Sequence, residues 1–216
     1  YDRIVAQVNL ALGVLFKRFR IKEGELSLEL QQGQLQYPLA SKYAVSSQTS
    51  REAVRYIKDS LASPFKDDVI KIERVYGESG VEFGMNDLGD PYSMRTPVFT
   101  TLLVPQSIVT PPLELDETLK TTTLRTVYRA RHPLILPEGK SLDPEDVELE
   151  LPYEYLDAMV YYMSARLLAP AGVYNGANPS NDYYAKYEAA CMEIENKGLQ
   201  TDNANSTDRN TRNGWV

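Results

Sequence analysis

The chain has 216 residues, a net charge of −7 and a hydrophobic fraction of 43%. This composition is typical of a folded globular protein and argues against a disordered or fibrous chain. The acidic excess argues against general adhesion to nucleic acid, which requires a basic face. The sequence has no apolar run of about 20 residues, so we expect no membrane span.

The two residue types that many catalytic and metal sites require occur once each, as Cys191 and His132. No disulfide can therefore form within the chain, and no Cys/His zinc site can be assembled. A nucleophile activated by histidine would depend on His132, which we interpret as an exposed residue at the end of a strand. No glycine-rich phosphate-binding motif is present. We expect no enzymatic activity, no metal and no cofactor.

The first predicted element is an amphipathic helix over residues 2–19. Residues Glu25–Leu30 then alternate polar and apolar side chains, which predicts a strand. We expect Leu35–Leu39 to return beside it as a hairpin, with Pro38 placing that strand at a sheet edge. The apolar stripe of the helix consists of Ile4, Val8, Leu12, Leu15, Phe16 and Phe19.

The middle of the chain has the residue types of β-strands. A turn signal at Gly77–Gly80 joins the first two predicted strands as a hairpin. A short helix over Ser50–Leu61 is also predicted, and Asn86–Asp90 is interpreted as a turn because it lacks the alternating oxygen ligands of a calcium loop. The predicted strands are Val69–Tyr76, the segment Val81–Phe83, Phe99–Val104 and Thr121–Ala130.

Two helices are predicted near the C-terminus. The first begins at Pro152, a residue that suits a first helical turn. The second covers about Asp182–Asn196, with Asn181 as N-cap and Gly198 just beyond its end. Residues 199–216 are polar and are predicted to form an extended or disordered tail when the chain is alone. The stripe of the first helix is Leu156, Met159, Val160, Met163 and Leu167.

Helices at both ends with strands between them predict an α+β fold. In this interpretation residues 1–22 and 150–198 form a helical bundle, residues 23–149 form a β-rich insert, and residues 199–216 form the tail. Each helix has one apolar face, so each needs a packing partner.

Tyrosines are concentrated in the two predicted C-terminal helices, where Tyr161/Tyr162 and Tyr183/Tyr184 are adjacent pairs. Adjacent helical side chains point about 100° apart, so both members of a pair cannot face one small core. Tyrosine is favoured at protein interfaces. We therefore expect these four tyrosines, together with Trp215, to contact other subunits in an oligomer.

Two charged features each allow two interpretations. Arg125, Arg129 and Arg131 lie at alternate positions of a predicted strand, and they form either a solvated face or a contact with an acidic neighbouring subunit. Between Ser141 and Glu154 the chain has six acids and no base. That acidic stretch is either a solvated loop or a wall that repels a like-charged molecule.

Three stretches, taken in order, carry a resemblance to a known family. They are Val8–Leu12 through Phe19 to Glu23–Leu26; Pro64–Glu73 with Asn86-Asp87 and Asp90–Ser93; and Tyr128–Pro133 followed by Leu151–Leu168. Together they resemble the head-to-tail adaptor proteins of short-tailed bacteriophages, which are related to the tail tubular protein below the portal. None of the stretches is a catalytic motif, so the specificity lies in their order.

The resemblance implies a helical bundle with an inserted β domain, assembled as a twelve-fold homo-oligomeric ring in the virion. Such a ring docks on the portal protein, carries the tail nozzle and tail fibre proteins, and lets DNA pass without binding it specifically. The protein would be made in the cytoplasm of the bacterial host. Because negatively charged side chains repel the polyanion DNA, the residues expected to line the channel are acidic. They are Asp143, Glu145, Asp146 and Glu148.

Two alternatives remain open. A virion-associated protein that degrades polysaccharide would place two carboxylates about 5–9.5 Å apart in one pocket. A host-derived oligomeric binding module would show a ligand pocket lined by the tyrosines.

Overall fold

The computed structural model describes residues 2–111, 119–135, 147–169 and 178–198. It confirms the prediction of a mixed α and β protein. The helices are α1 (Asp2–Arg18), α2 (Gln106–Val109), α3 (Leu156–Leu168) and α4 (Pro179–Asn196). The strands are β1 (Glu23–Glu29), β2 (Gln36–Pro38), β3 (Ile57–Lys58), β4 (Val69–Tyr76), β5 (Glu82–Phe83), β6 (Arg95–Val98), β7 (Thr101–Leu103) and β8 (Thr123–Ala130).

The chain divides into two compact units. Tyr1–Ile21 and His132–Val216 form one, which contains α1, α3 and α4, and Lys22–Arg131 forms the other, which contains the strands. The predicted tail at residues 199–216 lies outside the described residues.

In the helical unit, α3 contacts both α1 and α4. The ring of Phe19, just after α1, meets Tyr155 at the start of α3 edge-on, with 5.1 Å between centroids. Helices α3 and α4 are antiparallel, because Tyr162 meets Tyr187 while the hydroxyl of Ser180 donates to the carbonyl of Ala165. The side chains that α1 buries are Ala11, Leu12, Leu15 and Phe16, followed by Phe19.

Three details of the predicted helices are wrong. Ile4 and Val160, both assigned to apolar stripes, are each 51% exposed. The N-cap of α4 is Asn178, whose side chain accepts a hydrogen bond from the backbone N–H of Ser180, and Asn181 already lies inside the helix. The helix begins early because Pro179 has a backbone angle suited to a first turn and needs no hydrogen-bond acceptor.

The β-rich unit contains two antiparallel sheets. The larger has the strand order β3-β1-β8-β4-β5, and the smaller has the order β2-β7-β6. Strands β1 and β8 pair continuously, from Glu23 opposite Arg129 to Glu29 opposite Thr123. One core joins both sheets, with fully buried members that include Leu28, Tyr37, Ile57, Val75, Leu102 and Leu124.

The predicted hairpin of β4 with β5 is confirmed by the pairing of Val75 with Phe83. The predicted hairpin of β1 with β2 is wrong, because β2 pairs with β7 in the smaller sheet. The helix predicted over Ser50–Leu61 is also wrong, because Ile57 and Lys58 form β3 beside β1. Burial of Tyr56 and Ile57 in the core outweighs the weak helical pattern of that segment.

Candidate interface surfaces

The four predicted interface tyrosines lie on α3 and α4 of the helical unit. The ring centroid of Tyr161 is 6.4 Å from that of Tyr183, and the centroid of Tyr162 is 5.2 Å from that of Tyr187. Both members of the α3 pair therefore contact α4, and a contact of either with another subunit stays a prediction. Tyr184 packs on Tyr187 but remains 51% exposed. Its exposed surface is available to another chain.

Further apolar side chains of the helical unit lie on its surface. Leu10 on α1 is 45% exposed and Met192 on α4 is 55% exposed. Of the thirteen residues of α3, only Asp157, Ser164 and Arg166 are polar apart from the tyrosines. A helix that is apolar on more than one face needs more than one partner, and α3 has two within the chain, α1 and α4.

Arg18 links the C-terminal end of α1 to α4. Its guanidinium lies 2.8 Å from Glu188 and 3.0 Å from Glu195, and it lies over the ring of Tyr187. Burial alone would lower the pKa of Arg18, but the two glutamates more than offset this and raise it. The guanidinium therefore remains charged, and its role is to hold the two helices together.

Cys191 lies beside this ion pair and is fully buried. Burial raises the pKa of its thiol, although hydrogen bonding with Tyr187 and the charge of Arg18 oppose the shift. A buried thiol with a raised pKa is a poor nucleophile. Cys191 is thus a packing residue of α4.

His132 is buried, so its interpretation as an exposed residue is wrong. Its Nδ1 lies 2.6 Å from the carbonyl oxygen of Pro133, and its Nε2 accepts a hydrogen bond of 3.1 Å from the backbone N–H of Glu150. The ring meets Phe16 edge-on at 5.6 Å. Both ring nitrogens are therefore used, and they hold the chain before the acidic stretch, at Pro133, and within it, at Glu150. The helical unit resumes at His132.

The three predicted interface arginines lie on or just after β8 in the β-rich unit. Arg129 is 2.9 Å from Glu73, and the two side chains are only 16% and 14% exposed. Arg125 lies 3.5 Å from Glu25. Arg131 donates to the backbone carbonyl of Asp67. Each arginine thus has a partner within its own chain, and a contact with a neighbouring subunit stays a prediction.

The acidic stretch is described only in part. Glu148, Glu150 and Glu154 are exposed. The other residues predicted to line a channel or form an interface lie outside the described residues, and they are Asp143, Glu145, Asp146 and Trp215.

Three pockets of the β-rich unit bear on the alternative functions. Their volumes are about 400, 340 and 220 Å³, and the carboxylates that line them are Glu52, Asp59 and Asp90, one in each pocket. Hydrolysis of a glycosidic bond normally needs two carboxylates in one site. These three pockets therefore do not provide the arrangement that a polysaccharide-degrading protein requires.

In the part of the chain that the structure describes, no group of three or more His, Cys, Asp or Glu residues is placed to hold a metal ion. No helix among the described residues is both long and apolar enough to cross a membrane.

Comparison with known proteins identifies no relative, since no family model and no curated protein sequence matches the chain.

Proposed function

We propose that the chain is the subunit of a head-to-tail adaptor ring in a short-tailed bacteriophage. Twelve copies form a ring that docks on the portal protein, carries the tail nozzle and fibre proteins, and surrounds part of the channel through which DNA leaves. In this role the protein is a structural component of the virion at the head–tail junction, and it catalyses no reaction.

The observation that carries the proposal is that the three stretches of the resemblance contact one another. Tyr128, from the third stretch, lies over Gly24 of the first, and its hydroxyl donates to Asp68 of the second at 2.9 Å. His132, also from the third stretch, packs on Phe16 of the first. The identity of each of these residues is constrained by the residues that it contacts in the fold. Their joint occurrence in this order is therefore more specific than any one stretch, and it supports a shared fold.

The surface of the helical unit supports assembly. Leu10, Tyr184 and Met192 are about half exposed on α1 and α4. These side chains are apolar surface that α1 and α4 leave uncovered and that another protein can bury. Identical neighbours in a ring would cover such surfaces without any further partner.

We assign the acidic stretch of residues 143–154 to the wall of the channel. Its described members Glu148, Glu150 and Glu154 are exposed. DNA carries one negative charge per about 1.7 Å of helix axis, so an acidic wall repels it and keeps the passage free of adhesion. A ring with this stretch on its outer rim would contradict the assignment.

A stop codon in the gene for this chain tests the proposal in the infected host. We expect heads that are filled with DNA but lack tails, because without the adaptor ring the tail nozzle has no binding site below the portal. Adding the purified chain to these heads, together with tail proteins, should restore infectivity. Purified serum albumin, added in place of the chain, is the control. Complete, infectious particles in the absence of the chain would refute the proposal.

A further inference from the structure

We infer that neighbouring copies pack through the outer face of α1 in one copy and the outer face of α4 in the next. The inference rests on the proposed ring and names the two surfaces that form it. The α1 face consists of Arg3, Ala6, Leu10, Gly13 and Lys17, and the α4 face consists of Asp182, Ala185, Ala189, Met192 and Glu193.

The first argument is the position of these residues on their helices. Successive residues of the α1 face are three or four apart. In the α4 face the same spacing holds up to Ala189, and Met192 and Glu193 follow Ala189 by three and four residues. This spacing places each set on one side of its helix. Leu10 and Met192 are about half exposed, and Arg3, Ala6, Ala185 and Ala189 are exposed. A Cβ atom added to Gly13 would meet no atom within 4 Å. Both faces are therefore open in a single copy, on helices that each contact α3.

The second argument is the direction of the two helices. Helix α4 is antiparallel to α3, and the C-terminal end of α1 lies beside the N-terminal end of α3, where Phe19 meets Tyr155. Arg18 at the end of α1 also reaches Glu195 at the end of α4. Helices α1 and α4 thus run in the same direction. In a ring of twelve, neighbours are rotated by only about 30°, so α1 of one copy would run nearly parallel to α4 of the next.

The third argument is complementarity in that parallel alignment. When Leu10 is placed opposite Ala189, Gly13 falls opposite Met192. The reason is that Gly13 follows Leu10 by three residues, just as Met192 follows Ala189. A large side chain then meets a small one at both positions, which allows close packing of the helices.

The charges at the N-terminal end of this alignment also match, since Arg3 falls opposite Asp182. Opposite charges across an interface fix the register and disfavour wrong partners. Because the two faces are different and complementary, the contact is head-to-tail, which is the type of contact that closes into a ring.

Disulfide trapping tests the pairing on assembled protein. Gly13→Cys and Met192→Cys variants are mixed with portal rings and oxidised, and we expect a linked dimer in the mixture that neither variant gives alone. The matched control is Ala6→Cys mixed with Met192→Cys, a pair that meets only if the helices are antiparallel. We expect it to link at least tenfold more slowly. The native Cys191 is buried and is retained in all samples.

Charge reversal gives an independent readout. Arg3→Glu and Asp182→Arg should each weaken ring assembly on the portal at least tenfold, and the double variant should restore it because the pair is re-formed with reversed sign. Lys66→Glu, at an exposed site in the β-rich unit, should leave assembly unchanged.

The outcomes separate this inference from the proposed function. If the copies assemble on the portal but the trapped pair is no faster than its control, the pairing is wrong and the adaptor role stands. If the wild-type chain never assembles on the portal, both are wrong.

Discussion

The phenol ring of Tyr128 lies across Gly24, its cross-strand partner in the pairing of β8 with β1. A Cβ atom at position 24 would lie 2.7 Å from Cε2 of that ring. The hydroxyl of Tyr128 donates to Asp68, so the ring cannot move aside without losing a hydrogen bond. Burial, and then the charge of Asp68, raises the pKa of this hydroxyl, which keeps it protonated as a donor.

Replacing Gly24 with alanine should therefore destabilise the β-rich unit. We expect a loss of about 1–3 kcal/mol in the free energy of unfolding, the usual cost of overpacking, measured by urea denaturation. Gly13→Ala is the matched control, because its Cβ would meet nothing within 4 Å. It should stabilise α1 by about 0.5–1 kcal/mol. A Gly24→Ala variant as stable as the wild type would show that the ring can move.

Much of this fold could be predicted from the sequence where the signals are local. Helices α1, α3 and α4 and the hairpin of β4 with β5 are encoded by spacing and turn residues close together in the chain, whereas the short α2 was not predicted. The partners of β1 and β2 could not be predicted, because β1 pairs with β8 about a hundred residues away. Such pairings depend on the packing of the whole unit and not on a local pattern.

The candidate interface depends on tertiary packing that the sequence does not show. Tyrosine enrichment predicted an interface on α3 and α4, but it could not show that Tyr161 and Tyr162 both contact α4 within the chain. The exposure of Leu10 and Met192 is a tertiary property, since it depends on which side of a helix meets α3. Periodicity gives the faces of a helix but does not say which neighbour covers each one.

Replacing Arg18 with methionine should loosen the junction of α1 with α4. Glu188 and Glu195 would lose their shared cation. Because the Arg18 side chain is partly exposed, we expect the free energy of unfolding, measured by chemical denaturation, to fall by only about 1–2 kcal/mol. Lys197→Met removes an exposed pair with Glu193 and should change stability by less than about 0.5 kcal/mol. Equal effects of the two substitutions would indicate that the Arg18 pairs contribute no more than a surface salt bridge.

Replacing His132 with phenylalanine should keep the contact with Phe16 but leave the N–H of Glu150 without its acceptor. We expect the free energy of unfolding to fall by about 1–2 kcal/mol and hydrogen exchange at the Glu150 amide to become faster. His132→Ala removes the ring as well and should cost more. Unchanged exchange at Glu150 in the phenylalanine variant would contradict an anchoring role for the imidazole.

Asp59 should make stability depend on pH in the acid range. Burial would raise the pKa of this carboxyl, but hydrogen bonds from the Ser46 hydroxyl and from the backbone N–H groups of Phe65 and Ser46 outweigh burial and lower it. A group with a lowered pKa in the folded state contributes stability above its ordinary pKa of about 3.9, and the contribution is lost as pH falls through the folded value.

In Asp59→Asn that contribution is absent at every pH. The variant should therefore be less stable than the wild type at pH 7, and the difference should shrink as the pH falls below about 4. Urea denaturation at a series of pH values measures this, with Glu82→Gln at an exposed site as control. A difference that stays constant down to pH 2 would contradict the assignment.

Copies of this chain should assemble side by side on a portal. Native mass spectrometry of the purified chain mixed with portal rings from the same phage measures this assembly. We expect one dominant complex whose added mass corresponds to about twelve copies, with little signal from partly filled rings. Portal rings that keep their own mass while the chain remains a single copy would contradict the account.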